Sequence, residues 1–361
     1  MTDTTTSART AEAVAERLLT STLGFVDTLA IYVGDRLGWY RSLRDDGPAT
    51  AQELAARTAT HPRYAREWLE QQAVSGWLDV TADSDPEQRR FSLSPAAAEV
   101  LTDPESLNYL APLPRLFAAS ATALPELLSA YSDGGGVSWE QLGDDAREGQ
   151  ADMNRPWYER ELAPALARVP EVHERLGAAG AMIADVGCGA GWSTIALARA
   201  YPSATVRGLD VDAPSVAMAR ENAARAGLDD RVTFTHVDAS SQPERTHDVV
   251  FAFECIHDMP RPVEVLRAAR ESLVDGGFMV VMDEAVAEEF APDGDELERL
   301  MYGFSVFVCL PDGMSSQPSV GTGTVMRRST LETYATEAGF SSVDVLPTGE
   351  FGLWRFYLLR P

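Results

Sequence analysis

From residue 181 onward the spacing of apolar residues changes, and this change constrains the fold more than any other feature of the chain. Before it, apolar side chains recur at helical spacing; after it, short apolar runs alternate with amphipathic stretches. Runs at 181–186, 204–209, 232–237, 248–255 and 278–282 read as buried strands. Segments 192–200, 215–226, 263–273, 296–309 and 331–338 read as helices. Alternation of this kind makes an α/β, doubly wound, largely parallel sheet with helices on both faces. The last two runs, 343–345 and 354–359, are joined by a short glycine-containing link over 347–352. A link that short makes a hairpin, so the final strand must run antiparallel.

The first half is different. Residues 1–10 are polar and Thr-rich and read as a disordered tail. Val14, Leu18, Leu23, Val26, Leu29 and Val33 follow at helical spacing within 11–40. After the Asp46-Gly47-Pro48 turn, Thr50 caps a helix over 51–58, with Glu53 placed for a capping box. A second helix over 63–75 is stopped by Gly76, and 78–80 and 90–93 alternate as two short strands. Helices followed by a hairpin give a winged-helix order. That order invites a DNA-binding reading, but the charge opposes it. Residues 1–110 hold 10 Arg against 17 acids, a net of −7, and Arg63 and Arg66 of the would-be recognition helix are offset by Glu67 and Glu70. Phosphates would be repelled. The helices are too apolar for a free-standing solvated unit, so this half is expected to dimerise. The run 133–136, Asp followed by three glycines, reads as a flexible turn, because no strand precedes it and no Lys follows. Residues 154–176 read as a helix broken at Pro170 that joins the two halves.

Composition narrows the chemistry. The net charge is −25, and all 30 basic residues are Arg. Without Lys there is no Walker-A loop and no Schiff-base or pyridoxal chemistry. The acidity weighs against nucleic acid and against anionic membranes. Cys188, Cys255 and Cys309 are far apart, which gives neither a zinc spacing nor a disulfide framework. The N-terminus has no apolar signal region and no apolar run reaches about 18 residues, so a cytoplasmic, soluble chain is expected.

One motif carries the chemistry. Asp185-Val186-Gly187-Cys188-Gly189-Ala190-Gly191-Trp192-Ser193 follows a strand and opens a helix. Its spacing is G-x-G-x-G, unlike the G-x-G-x-x-G of pyrophosphate sites. An acid beside the loop opposes a pyrophosphate and suits a ligand with an ammonium group. The next strand ends at Asp210, followed by Val211 and Asp212, where a carboxylate can accept both hydroxyls of a ribose. The third ends at Asp238-Ala239, where an acid can accept from an adenine amino group. Taken singly, Asp210 or Asp238 also reads as a turn residue after a strand.

These three segments resemble the cofactor motifs of the class I S-adenosylmethionine-dependent methyltransferases over residues about 150–361. The segments 31–40, 63–69 and 253–259 are similar to an actinobacterial family that joins a winged-helix domain to a methyltransferase domain. The resemblance implies a seven-stranded Rossmann-like sheet, last strand antiparallel, behind a mostly helical N-terminal domain. It implies S-adenosylmethionine as cofactor. Gly187, Gly189 and Gly191 would line its methionine portion and Asp185 its amino end. Asp210 would take the ribose, with Val211 also in the cofactor site, and Asp238 would take the adenine amino group with Ala239 packing beside it. Tyr158 would cover the cofactor, and Glu254 would face the sulfonium or the acceptor unless it is an exposed strand-end carboxylate. Methyltransferases with a catalytic Lys are excluded.

His257-Asp258 is similar to the His-Asp pair of plant-type small-molecule O-methyltransferases, the His acting as base on the acceptor hydroxyl. A His near its ordinary pKa of about 6.5 suits that role. It also reads as a backbone-bonding residue at a helix start, with Asp258 as a cap. Two acids flank the base in such enzymes. Glu284 fits one; Arg327-Arg328 occupies the stretch of the other. A related iron enzyme pairs such a His-Asp with a later His, but none of His61, His173, His236, His247 and His257 follows residue 257. No metal is therefore expected. Trp157, Tyr158, Met301, Tyr302, Phe304, Phe307, Leu310 and Met314 are candidates for an apolar acceptor pocket, or for core.

The expected organisation is a winged-helix-like dimerisation domain over 1–100, a helical connector and acceptor-pocket segment over 101–175, and a methyltransferase domain over 176–361. The expected activity is methylation of a small aromatic or polyketide-like metabolite, most simply at oxygen. C- or N-methylation, or a ligand-sensing DNA-binding regulator on the same fold, are the alternatives.

Overall fold

The computed structural model describes residues 10–81, 85–241 and 245–361. The tail expected over 1–10 lies outside these residues except for Thr10. Thr10 instead caps the first helix, its Oγ1 accepting the Ala13 N–H at 3.2 Å. Backbone contacts divide the chain into two units, one ending at Ala118 and one spanning Ala119–Pro361. The segment expected as a connector, 101–175, straddles that boundary.

In the first unit, α1 (Ala11–Arg36) ends before Gly38, whose left-handed φ of 71° turns the chain into α2 (Trp39–Asp45). The single helix expected over 11–40 is thus two. Helix α3 (Ala51–Thr58) has the expected bounds. Its capping box is closed: Thr50 Oγ1 accepts the Glu53 N–H at 3.3 Å and the Glu53 carboxylate accepts the Thr50 N–H at 2.9 Å. After α4 (Pro62–Val74), β1 (Asp79–Val80) and β2 (Phe91–Ser92) pair antiparallel as the wing, and α5 (Pro95–Thr102) follows. The core gathers Trp39, Tyr40, Leu54, Trp68, Leu69 and Phe91. Trp39 and Tyr40 meet the Trp68 ring at 4.8 and 5.0 Å between centroids. Buried Asp35 is compensated by Arg115 at 2.6 Å and Arg41 at 3.0 Å. The first part of α1 adds nothing to this core: Val14, Leu18, Leu19, Leu23 and Phe25 are exposed.

The second unit takes up the chain from within α6 (Pro112–Thr122) and continues through α7 (Leu124–Asp133) and α8 (Trp139–Trp157). In the glycine run expected as a flexible turn, Gly134 and Gly135 are exposed, but Gly136 packs closely: a Cβ on it would lie 2.2 Å from the Ser315 backbone, and Val137 N–H donates to Pro311 O at 3.0 Å. Helix α8 breaks at Gly143 (φ 79°, ψ −162°) and runs on into a π-helical turn at Tyr158–Leu162, then α9 (Ala163–Ala167) and α10 (Pro170–Leu176).

The sheet then builds in the expected alternation: β3 (Met182–Val186), α11 (Trp192–Ala200), β4 (Thr205–Asp210), α12 (Ala213–Ala226), β5 (Val232–His236), β6 (His247–Phe253) and α13 (Pro262–Ser272). It continues with β7 (Leu273–Glu284), α14 (Glu296–Phe304), a second π-helical turn at Ser305–Cys309, α15 (Leu310–Met314), α16 (Arg328–Ala338), β8 (Ser342–Val345) and β9 (Trp354–Arg360). The strand order is β5-β4-β3-β6-β7-β9-β8, all parallel except β9, which runs antiparallel to both β7 and β8. The period of two sorts side chains onto two faces. Ile183, Val249, Phe251, Val280 and Phe356 enter one core, and Ala184, Val250, Val281 and Tyr357 the other. Strand order reverses between β3 and β6, which opens a crevice at their carboxyl ends.

Candidate active site

The glycine loop lies at that crevice. A Cβ on Gly187 would sit 2.7 Å from the Cys255 side chain, and one on Gly191 2.7 Å from Phe234, so the loop must be glycine there to close against β6 and β5. At Gly189, with φ 50°, an added Cβ meets nothing within 4 Å, so this side of the loop is open to a ligand. Asp185 is wholly buried beneath it. Its Oδ2 accepts the hydroxyls of Ser193 and Thr194, both at 2.6 Å, while Oδ1 has no partner. Burial pushes its pKa up to about 6 against those two hydrogen bonds. Ser193 and Thr194, the first polar residues of α11, went unassigned in the sequence; their signal is a hydroxyl pair immediately after a glycine loop.

Asp210 spans the loop and the next turn, accepting the Gly189 and Asp212 N–H groups at 2.8 Å each. Burial raises its pKa. Val211 is exposed, its carbonyl 2.9 Å from His236 Nε2. Asp238 is exposed, accepting the Ser240 N–H at 2.9 Å and facing Arg261 at 3.4 Å. Ala239 opens a short 3₁₀ turn and packs on the second core. Loop, Asp210 and Asp238 thus follow three adjacent strands, β3, β4 and β5.

Glu254, at the end of β6, is one of two non-glycine residues with positive φ among those described, at 50°. Such backbone costs of order 1–3 kcal/mol and marks sites where a side chain is aimed for a purpose. The exposed-carboxylate reading fails. Glu254 accepts from Trp354 Nε1 and Asn154 Nδ2, and from Gln150 Nε2 at 3.3 Å. Burial, with Glu284 adding to it, pushes its pKa up to about 8. Helix α8 lies across the carboxyl ends of the strands through one polar face. Arg147 holds Asp212 by two hydrogen bonds of 2.7 and 3.0 Å, and Gln150 and Asn154 hold Glu254. Tyr158 continues this face, buried edge-on against Phe253 at 5.5 Å.

His257 sits in a 3₁₀ turn after β6 and is 2% exposed. The ring turns toward the end of β7. There Asp283 Oδ1 takes the His257 Nδ1 at 3.0 Å and Glu284 Oε2 lies 3.2 Å from the same nitrogen. The second flanking acid is therefore Asp283, next to the expected Glu284. Arg327 is engaged elsewhere, by Glu298 at 2.6 Å. Burial alone would lower the His257 pKa, but Glu284 and Asp283 outweigh it and raise it well above 6.5. Burial also lifts Glu284 and Asp258 to about 8.

Nδ1 of His257 and one oxygen each of Asp283 and Glu284 lie within 4.8 Å of one another, a set that could hold a metal ion. The expectation of no metal looked for a later histidine; two carboxylates stand there instead. As placed, Asp283 Oδ1 is used to orient the ring and to accept the Glu284 N–H at 3.1 Å. Of the pocket candidates, Met301 and Phe304 are buried, Tyr302 and Phe307 partly exposed, and Trp157 packs on Phe351 and Trp354.

Residues 178–309 match the family model of a methyltransferase domain, and residues 26–103 that of an Rv2258c-like winged HTH domain. The 27-O-demethylrifamycin SV methyltransferase of Amycolatopsis mediterranei is 36% identical over 107 residues, 29% of this chain and 39% of that protein. The methyltransferase GfsG of Streptomyces halstedii is 36% identical over 129 residues, 35% of this chain and 46% of that one. The match spans less than half the length of either relative. The solved structure of the mitomycin 7-O-methyltransferase MmcR shares the fold, with a TM-score of 0.73 at 24% identity over 97% of this chain and 98% of that one.

Proposed function

We propose that this chain, which carries a methyltransferase domain behind a winged helix-turn-helix domain, moves the methyl group of S-adenosylmethionine to a hydroxyl oxygen of a small, largely apolar natural product, with His257 as general base. The observation that carries this reading is the buried imidazole clamped by Asp283 and Glu284 beside the glycine loop crevice. Methylation of a neutral amine nitrogen has no need of such a base.

The residues present fit the cofactor. Gly189 leaves open space, the unpartnered Asp185 Oδ1 suits an ammonium group, and Asp210 has acceptor capacity left for a ribose diol. Asp238, with Val211 and Ala239, suits an adenine. When bound, S-adenosylmethionine supplies a methyl group already activated on a sulfonium. The protein then contributes alignment and proton removal. Asp283 fixes Nδ1 of His257 as the protonated nitrogen, leaving Nε2 free of carboxylates and able to take the acceptor proton. Glu284 offsets the positive charge that the ring then carries. Helix α8, Tyr158 and Glu254 roof the crevice and exclude water. The named relatives modify rifamycin and mitomycin, which favours a hydroxylated polyketide or aromatic acceptor.

The test is turnover of labelled S-adenosylmethionine against a panel of such hydroxylated acceptors. Methyl transfer to oxygen that collapses in His257→Gln supports the reading. Transfer to carbon or nitrogen at an undiminished rate in that variant overturns the O-methyl assignment.

We read the N-terminal unit as a module for pairing two copies of this chain, not for DNA. On α4, Arg63 is paired with Glu67 and Arg66 with Glu87, so neither is offered to phosphate. Among the described residues no helix is long and apolar enough to cross a membrane.

A further inference from the structure

Around Nδ1 of His257 there are more acceptors than protons. Asp283 and Glu284 end β7 side by side, 1% and 4% exposed, and face that one nitrogen at 3.0 and 3.2 Å. A ring nitrogen carries a single proton, and Asp283 Oδ1 accepts it. Glu284 Oε2 is left without a hydrogen bond although it lies 3.2 Å from the same nitrogen. Asp283 Oδ2 has no partner either among the described residues. Proteins rarely bury an acceptor without a donor or a charge without a counter-charge. Arginine does not make up the difference. Arg355, opposite Asp283 in the β7–β9 ladder, goes to Glu288 at 3.2 Å, and Arg327 goes to Glu298 at 2.6 Å.

A metal ion would satisfy all three side chains at once. One ligand atom from each lies within 4.8 Å of the others, and all three residues are buried. Ligands held about 2.0–2.1 Å from an ion, at angles between octahedral and tetrahedral, stand about 2.8–3.4 Å apart. Both nitrogen–oxygen separations fall in that range. Two carboxylates neutralise a divalent charge. An imidazole among the ligands favours a first-row transition ion over Mg2+ or Ca2+, which prefer oxygen alone.

We propose that Nδ1 of His257, Asp283 and Glu284 bind one divalent transition-metal ion of the Zn2+ or Co2+ kind. Three protein ligands leave further positions on the ion to solvent. The ion takes the place of the hydrogen bond between Nδ1 and Asp283, so the ring's proton sits on Nε2, which then donates instead of accepting. A loaded chain can take no proton from an acceptor hydroxyl, and the ion switches methyl transfer off. That consequence rests on the reading of His257 as base; the binding itself does not.

The experiment strips the full chain with EDTA, removes the chelator and titrates Co2+ in excess Mg2+, which occupies the acidic surface. A visible Co2+ band that saturates at one ion per chain is expected, and Zn2+ should bleach it. Asp283→Asn and Glu284→Gln, checked for fold by circular dichroism, should weaken Co2+ by about 10–100-fold or more, since loss of even a supporting partner of a ligand costs that much. Glu288→Gln, outside the cluster, should bind Co2+ like the parent. In the parent, Zn2+ should move the Nδ1 resonance of one of the five histidines in long-range proton–nitrogen correlation spectra, and His257→Gln should lose that signal. The absence of a saturable band, a band that Mg2+ abolishes, or folded cluster variants that bind Co2+ like the parent would overturn the site. Methyl transfer to oxygen should fall with Zn2+ occupancy and return with EDTA. Undiminished transfer by a chain shown to hold Zn2+ would leave the site standing and overturn His257 as the base.

Discussion

At the scale of the residue, His257 shows how a buried ring can keep its charge. Burial opposes the imidazolium, and two carboxylates at 3.0 and 3.2 Å reverse the balance. A base must be neutral to act, so kcat/KM should climb with pH through a pKa well above 6.5. Asp283→Asn removes one of the charges raising it, so the rise should move toward lower pH. A pH–rate series on both proteins checks this, and an unmoved profile would separate Asp283 from the base. His257→Ala should lower turnover by about 10²–10⁴ with cofactor affinity kept. The same shifts govern stability. His257 holds its proton more tightly folded than unfolded, so its contribution is full below about pH 6.5 and is lost as pH rises through the higher folded value. Glu254, raised to about 8 by burial, has the same sign: folded, it keeps a proton that the unfolded chain gives up above about pH 4.5. Thermal unfolding of the ligand-free chain should therefore show Tm falling between pH 6.5 and 9, less steeply in Glu254→Gln. A Tm that rises over that range would contradict both assignments.

At the scale of the element, what the sequence disclosed and what it hid have separate physical causes. Bounds set by local chemistry were legible: α3 from its capping box, and β3 and α11 from an apolar run broken by glycines. The π-helical turns were not, because a single inserted residue leaves helical periodicity nearly intact over a short window. Asp283 was hidden because the apolar run stops at Met282, so two following acids read as loop. The strand in fact continues to Glu284, paired with β9, and at its end two neighbouring side chains converge on one ring. Glu254 read equally as a site residue and as an exposed carboxylate, because its partners, Asn154 and Trp354, come from α8 and β9, about 100 residues away on either side. The places of Asp210 and Asp238 at strand ends were legible, because each only had to close an apolar run. Helix α8 is the element most worth testing. Arg147 is 5% and Asp212 11% exposed at the side chain, and breaking a buried pair by removing one partner costs about 3–5 kcal/mol. Arg147→Met should approach that loss in chemical denaturation. It should also weaken cofactor binding, because Asp212 caps α12 two residues beyond Asp210. A neutral result would mean that the Arg147–Asp212 pair does not hold α8 over the crevice.

At the scale of the whole molecule, the charge of −25 and the uncovered face of α1 bear on the same question. So acidic a chain repels DNA and also repels its own copies, so pairing needs an apolar surface large enough to overcome that repulsion. Helix α1 provides one. Val14, Leu18 and Phe25 form one row and Leu19, Leu23 and Val26 another, together covering about half of the helix circumference, and each is 46–68% exposed. The charged residues over that stretch are few, Glu12, Glu16, Arg17 and Asp27. A stripe this broad is found buried in water-soluble proteins, and a second α1 is an apolar surface of the required length that the system always supplies. Sedimentation should therefore give a dimer whose affinity strengthens with salt, as repulsion between acidic copies is screened. Leu19→Glu with Leu23→Glu should release monomers without changing Tm much, because neither side chain packs in the core of its own unit. A parent chain that sediments as a monomer at high salt would remove the dimer reading, and a salt-sensitive shift of duplex DNA by the same chain would restore the winged helix as a DNA reader.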